Sequence, residues 1–197
     1  MDLQTNDDQH FLIYKPFGML SQFYSNSKQQ CKKRFLGELY DFPDGVMPIG
    51  RLDEKSEGLL LLTTSGKMSH FVNSQNIEKE YFALVDGAIS DSAVNKLRTG
   101  VTIGFEGKKY KTKPCKVFRI KDSLELPEAE QKIRDDRHGP TSWISITLKE
   151  GKFRQVRKMT SAVGYPTLRL VRVRIGNYIL DKAMDSGAVR PLEKLTF

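Results

Sequence analysis

The chain has 197 residues, a formal net charge of +8 and 39% hydrophobic residues, enough for one large domain or two small, closely packed ones around a lean core. The positive balance favours a polyanionic partner, while no run approaches the ~18 apolar residues of a membrane span and the acidic, polar start MDLQTNDDQH is neither a signal nor a transit peptide, so a cytoplasmic protein away from membranes is expected. Cys31 and Cys115 lie far apart and His10, His70 and His138 are scattered, which excludes a Cys/His metal cluster and leaves two free thiols in a reducing compartment.

Residues 1–10 read as a polar tail and residues 11–197 as the folded body. A short strand over 11–14 stops at the turn Lys15-Pro16-Phe17-Gly18, and 19–23 leaves it extended. Residues 25–30 are a polar loop. The pattern of Phe35, Leu36 and Leu39 predicts a short helix over 32–40, followed by a turn over 41–45. Four consecutive leucines, Leu59 to Leu62, predict a buried strand, and helical character follows from Ser65 to Val72. Lys79 to Asp86 (KEYFALVD) is rich in aromatic and branched residues and predicts a strand. Ser90-Asp91-Ser92 caps a helix that runs to Arg98 and stops at Gly100. Strands are expected over 101–103 and 110–120 around a turn at Gly104–Gly107. Lys121 to Pro140 carries both charge signs and reads as a solvated insertion with at most one helical turn. Residues 143–149 alternate, with Ile144, Ile146 and Leu148 on one face. A helix over 153–163 and strands over 168–175 and 177–180 complete the chain. Strands and helices mix without a βαβ repeat, so the fold class is α+β with a largely antiparallel sheet.

Two stretches carry chemistry. In PIGRLDEKSEGLLLLTTSG, residues 48–66, Asp53 sits on a loop joined directly to the leucine strand, which is how a reactive side chain is held still. Taken alone, the loop favours an Asx-turn or helix cap for Asp53 over a nucleophile or general base. The catalytic reading requires a matching cation elsewhere, because a half-buried carboxylate needs compensation. The neighbouring Glu54 and Glu57 read as exposed loop residues. The second stretch, Lys152 to Arg174, holds seven Lys/Arg and no acid. Its helix places Phe153, Val156, Met159 and Val163 on one side and Arg154, Arg157 and Lys158 on the other. Its strand alternates apolar residues with Arg172 and Arg174. Repetition on two elements favours a phosphate-binding surface over a merely solvated face. Lys79 and Tyr81 share a strand face, where Tyr81 is either a half-buried core residue or a stacking ring. No P-loop, HExxH, GxSxG or GxGxxG motif occurs.

Four stretches together carry a resemblance. GRLDEKSEGLLLLT resembles the catalytic signature of pseudouridine synthases of the RsuA type, KPFGMLSQF their first motif, KEYFALVDG their K-x-Y motif, and EGKFRQVRKMTSAVGYPTLRLVRVRIG their third motif. The order is that of the family, over roughly residues 11–180, and PTSW and GYPTLRL extend it to the RluE branch, which modifies large-subunit ribosomal RNA. The resemblance implies a bent, mainly antiparallel sheet in two halves with helices and a basic central cleft. It implies a single catalytic domain of two packed subdomains, with no separate N-terminal RNA-binding domain. It implies isomerisation of a uridine to pseudouridine in large-subunit (23S) ribosomal RNA, with the base flipped out; such a rearrangement needs no cofactor or metal, and a monomer is expected. Position by position, Asp53 matches the essential aspartate, Arg157 its basic partner, Tyr81 the base-stacking tyrosine, and Val156 an apolar residue beneath the base. Arg51 matches a position near the flipped base. Arg51, Lys79, Lys152, Arg154, Lys158, Arg172 and Arg174 are the expected RNA contacts. Two other readings compete. A non-enzymatic RNA-binding or ribosome-assembly module has no use for Asp53, and a glycoside hydrolase needs a second catalytic acid beside it.

Overall fold

The computed structural model describes residues 8–28, 32–121, 124–134 and 136–197. In chain order the elements are β1 (His10–Lys15), β2 (Met19–Leu20), β3 (Arg34–Phe35), β4 (Met47–Pro48), β5 (Glu57–Thr63), α1 (Gly66–Ser74), β6 (Lys79–Asp86), α2 (Asp91–Thr99), β7 (Thr102–Phe105), β8 (Lys108–Lys111), β9 (Lys116–Ile120), β10 (Thr141–Leu148), α3 (Gln155–Ala162), β11 (Thr167–Ile175), β12 (Tyr178–Ile179) and β13 (Val189–Leu192). Short 3-10 turns lie at Leu36–Glu38 and Asp136–His138. The fold is α+β and mainly antiparallel, as expected; β2 and β3 pair in parallel. The chain divides into two compact units, one made of the residues up to Gln75 with Asp185–Phe197, the other of Asn76–Met184.

In the first unit β1 lies between β13 and β5, and β4 pairs with the far end of β5. Every residue of β1 and β5 is buried, which is why the leucine run reads as continuous rather than alternating. The strands also bury two charged side chains. Lys15 Nζ donates to the carbonyls of Pro16 and Met19 at 2.7 Å each, and Tyr14 Oη donates to Glu57 Oε2 at 3.1 Å. Glu57 is therefore not an exposed loop residue; it is 2% accessible and belongs to β5. Gln9 and His10, expected in the polar tail, are part of the folded unit. Thr64 N donates to Gln9 O at 3.0 Å, Gln9 N donates to Thr64 Oγ1 at 2.9 Å, and His10 is a buried strand residue whose Nδ1 lies 2.9 Å from Thr63 Oγ1. Burial lowers the His10 ring below the ordinary histidine value, partly offset by Asp8. Residues 1–7 and Cys31 lie outside the described residues.

The helix expected over 32–40 is not formed. Arg34 and Phe35 pair with Met19 and Leu20, Leu36 N donates to Gln22 O at 3.0 Å, and only a 3-10 turn follows. Three apolar residues are too few to hold a helix against backbone pairing with a neighbouring extended segment. Phe23, Leu39 and Phe42 pack on the core of Phe11, Ile13, Met19, Leu36, Leu60 and Leu62.

In the second unit β11, β6, β10 and β9 form an antiparallel sheet in that order, with β12 beside β11. One face carries Ala83, Val85, Ile144, Ile146 and Leu170, covered by Val94 and Leu97 of α2 and Val156 and Met159 of α3. The ends of α2 follow their sequence signals. Ser90 Oγ accepts from Ala93 N at 3.2 Å, Asp91 lies in the first turn, Lys96 and Arg98 lie in the last, and Gly100 closes the helix at φ +93°.

Three expectations for this unit are corrected. The strand expected over 110–120 is two, β8 and β9, because Pro114 has no N–H for a ladder. Phe153 precedes α3 and is exposed, so it is not part of that helix's buried face. The insertion over 121–140 is not merely solvated. Gln131 Nε2 donates to Leu168 O at 3.1 Å, Arg169 Nη2 donates to Pro127 O at 2.8 Å, and Arg134 pairs with Asp86. Leu124, Leu126 and Pro127 line a cavity of about 310 Å³ with Phe82 and Val173. The strand faces opposite α2 and α3 are thus partly covered, and Ser145 and Thr147 are buried rather than facing water.

Candidate active site

The Asp53 loop is fixed at both ends. On its near side Ile49 N donates to Leu61 O at 2.8 Å, and Gly50 takes φ +70°, with Asn73 Oδ1 against the place a Cβ would occupy. That left-handed conformation favours glycine and turns the chain out of the strand pair. Arg51 is exposed, Leu52 buried and Asp53 half-buried. Ser21 pins the middle of the loop: its Oγ accepts from Leu52 N at 2.9 Å and donates to Leu52 O at 2.8 Å. On the far side Ser56 N donates to Asp53 O at 3.0 Å, and Gly18 N donates to Glu54 O at 2.8 Å. Glu54 pairs with Lys33 at 2.7 Å. The expected loop-on-strand placement of Asp53 is present, and the residue is half-buried there. Sequence reading missed Ser21, although it lies inside the KPFGMLSQF stretch, because the match of its hydroxyl to Leu52 depends on a loop 31 positions away.

The second unit brings Tyr81 and Val156 to one apolar cluster. Tyr81 is half-buried on β6, opposite Ile146 of β10 and Arg172 of β11, and packs on the core to which Val156 and Met159 contribute. Arg157, the next residue on α3, is half-buried and donates from Nη1 to Thr167 O at 3.2 Å. Lys79 lies two residues before Tyr81. Burial pushes its ammonium below the ordinary lysine value, and the nearby Arg172 guanidinium lowers it further.

The start of α3 is built on a group that sequence reading left out. Glu150 accepts from Tyr110 Oη at 2.5 Å, Lys113 N at 3.0 Å and Gln155 Nε2 at 2.6 Å. Burial raises the Glu150 carboxyl, but these three donors outweigh it and hold the group below its ordinary value; Tyr110 is raised in turn by the same hydrogen bond. Gln155 Oε1 also accepts from Lys152 N at 2.9 Å. This tie joins β8 to the helix that carries Val156 and Arg157.

The expected RNA contacts separate into two groups. Arg51 is exposed, and Lys152, Arg154 and Lys158 are half-buried around the start of α3. Arg154 takes φ +54°, unusual outside glycine. Lys152 Nζ lies 5.0 Å from the Phe105 ring centre and 5.2 Å from that of Tyr110, and Lys158 Nζ donates to Gly104 O at 2.8 Å. The strand arginines differ from expectation. Arg172 is 3% accessible, and Arg174 pairs with Glu80 at 3.0 Å and Glu78 at 3.1 Å. The alternation on β11 therefore does not present a solvated cationic face. A bulge between Arg172 and Arg174 breaks the register of β11, and the carboxylates of Glu80 on β6 and Glu78 before it take up the charge of Arg174. Cys115 is half-buried, its Sγ donates to Leu97 O at 3.3 Å, and burial, then Glu150, pushes the thiol up to about 11, so it is inert. Among the described residues no helix is long and apolar enough to cross a membrane.

Comparison with known proteins adds independent findings. The family model described as RNA pseudouridylate synthase matches residues 9–162. A protein of Xanthomonas axonopodis pv. citri (strain 306) named ribosomal large subunit pseudouridine synthase E is 40% identical over 172 residues, covering 86% of this chain and 87% of that protein. One of the same name from Vibrio parahaemolyticus serotype O3:K6 is 36% identical over 182 residues, covering 91% of this chain and 71% of the relative. Among solved structures, one described as a crystal structure of pseudouridylate synthase superimposes with a TM-score of 0.74 at 27% identity, covering 94% of this chain and 70% of that one.

Proposed function

The chain belongs to the RNA pseudouridylate synthase family and is an RNA pseudouridine synthase; from that premise we propose that it isomerises one uridine of large-subunit ribosomal RNA, with Asp53 as the reacting carboxylate. The relatives named for the large ribosomal subunit support this choice of substrate. In the reaction the N1–C1′ bond breaks, the detached uracil turns, C5 bonds to C1′, the proton on C5 leaves to solvent and N1 gains one. Nothing is oxidised or transferred from a donor. Asp53 either adds to the sugar or base as a nucleophile or aids proton removal at C2′. Tyr81 stacks on the freed uracil and Val156 packs beneath it. Arg157 balances and orients the carboxylate. Flipping the target uridine out of folded RNA costs about a few kcal/mol. Phosphate contacts from Arg51, Lys79, Lys152, Arg154 and Lys158 offset that cost.

The observation that carries the reading is the half-buried Asp53 on a loop held at Leu52 by both hydrogen bonds of Ser21. A non-enzymatic RNA-binding module has no need of that clamp. The glycosidase alternative loses a candidate for its second acid, since Glu57 is buried under Tyr14. The test is Asp53→Asn, assayed on unmodified large-subunit ribosomal RNA transcribed in vitro. Pseudouridine formation is lost while RNA affinity is kept. Near-normal turnover in this variant would remove Asp53 from the reaction.

A further inference from the structure

Beside the Asp53 loop the first unit holds a cleft of about 850 Å³, larger than a single uracil needs, and of its lining the proposed function uses only Arg51. Its walls include Phe23, Tyr24, Tyr40, Phe42 and Arg51. Three of these rings form a braced wall. Phe42 meets Phe23 edge-on with ring centres 5.4 Å apart, lies 5.2 Å from Tyr40, and rests edge-on against the buried Phe11 at 5.3 Å. Tyr24 instead projects, 76% accessible, and Tyr40 is 45% accessible. Large aromatic rings open to water inside a concave site mark a place where a flat ligand stacks. The cleft also adjoins the reactive loop through its own wall. Ser21, two residues before Phe23, is the residue that clamps Leu52, between Arg51 and Asp53.

We propose that this cleft holds an unpaired nucleotide of the substrate RNA next to the uridine being modified, with its base stacked on Tyr24 and its phosphate facing Arg51. The inference rests on the RNA-modifying reading above and adds to it a site for a second base. Charge selects a base over backbone for the interior. Asp41 and Asp44 line the cleft, and ionised carboxylates only accept hydrogen bonds, so they repel phosphate but take N–H donors from a base edge. Among the described residues Arg51 is the basic member of the lining, and it suits phosphate. The site thereby contributes to the choice of uridine, because base contacts specify while phosphate contacts position.

The probe is the source organism's large-subunit ribosomal RNA transcribed in vitro, with affinity measured by filter binding at fixed salt on the full chain. Base–aromatic stacking predicts that Tyr24→Ala raises Kd by roughly 5- to 150-fold, and that Tyr24→Phe, which keeps the ring, stays within about twofold of wild type. The exposed position of Tyr24 means that neither variant lowers the melting temperature. Ultraviolet crosslinking of the wild-type chain joins the Tyr24 peptide to a nucleotide immediately neighbouring the modified uridine. Wild-type affinity in Tyr24→Ala, an equal loss in Tyr24→Phe, a crosslink to a distant nucleotide, or a wild-type chain that does not bind the transcript each overturns the proposal. If instead the affinity results hold but the wild-type chain forms no pseudouridine, the isomerase reading fails while the nucleotide site stands.

Discussion

Replacing Ser21 by alanine should weaken both the fold and the reaction, because one buried hydroxyl holds the loop that carries Asp53. Ser21 is 5% accessible, and its Oγ makes two hydrogen bonds to Leu52, accepting from the amide at 2.9 Å and donating to the carbonyl at 2.8 Å. A buried hydrogen bond contributes about 0.5–1.5 kcal/mol net, so removing both costs about 1–3 kcal/mol. For a chain of this length that lowers the melting temperature by roughly 2–12 °C. The bonds at Ile49, Glu54 and Ser56 remain, but the anchor at Leu52, next to Asp53, is gone. A drift of the reacting group by about 1 Å costs up to about 10²-fold in rate, so turnover should fall further than stability alone explains. The assay is tritium release from RNA labelled at C5 of uridine, since that proton is lost when C5 bonds to the sugar, with urea denaturation run in parallel. Ser92→Ala, an exposed hydroxyl on α2, is the control and stays within about 0.5 kcal/mol of wild type. If Ser21→Ala matched the control in stability and wild type in tritium release, the hydroxyl would not be what positions Asp53.

Gly100→Ala places a Cβ against the Thr112 carbonyl oxygen at φ +93°, and should cost about 2–5 kcal/mol in urea denaturation, whereas Gly104→Ala, with no atom within 4 Å and no left-handed φ, should be neutral or stabilising by about 0.5 kcal/mol. Glu150 has a carboxyl held below its ordinary 4.5, so its contribution is fully present above pH 4.5 and is lost as pH falls through the lower folded value. Glu150→Gln should therefore flatten the stability–pH curve below 4.5, measured by urea midpoints across pH, and an unchanged curve would contradict the three-donor tie at the start of α3.

The local signals of this chain determined its elements wherever one signal was strong and self-sufficient. The leucine run fixed β5, Lys79–Asp86 matched β6 residue for residue, and Ser90 and Gly100 bounded α2, because burial of a continuous apolar strand and satisfaction of helix ends are properties of neighbouring residues. The placement of Asp53 on a strand-anchored loop was legible for the same reason. What only the tertiary structure decided were matters of partnership. Residues 32–40 form β3 and a 3-10 turn because an extended segment twelve or more positions upstream offers them hydrogen bonds. Arg172 and Arg174 alternate with apolar residues as a solvated face would. Yet one is buried and the other is matched by Glu78 and Glu80, which lie more than 90 positions away and supply charges that periodicity cannot see. Glu57 reads as loop charge and is buried under Tyr14, while Ser21, in a stretch that reads only as extended, holds Leu52. A sequence records which groups want partners; the fold alone determines which partner arrives, because hydrogen bonds and ion pairs are made at about 3 Å between residues whose separation along the chain sets no distance in space.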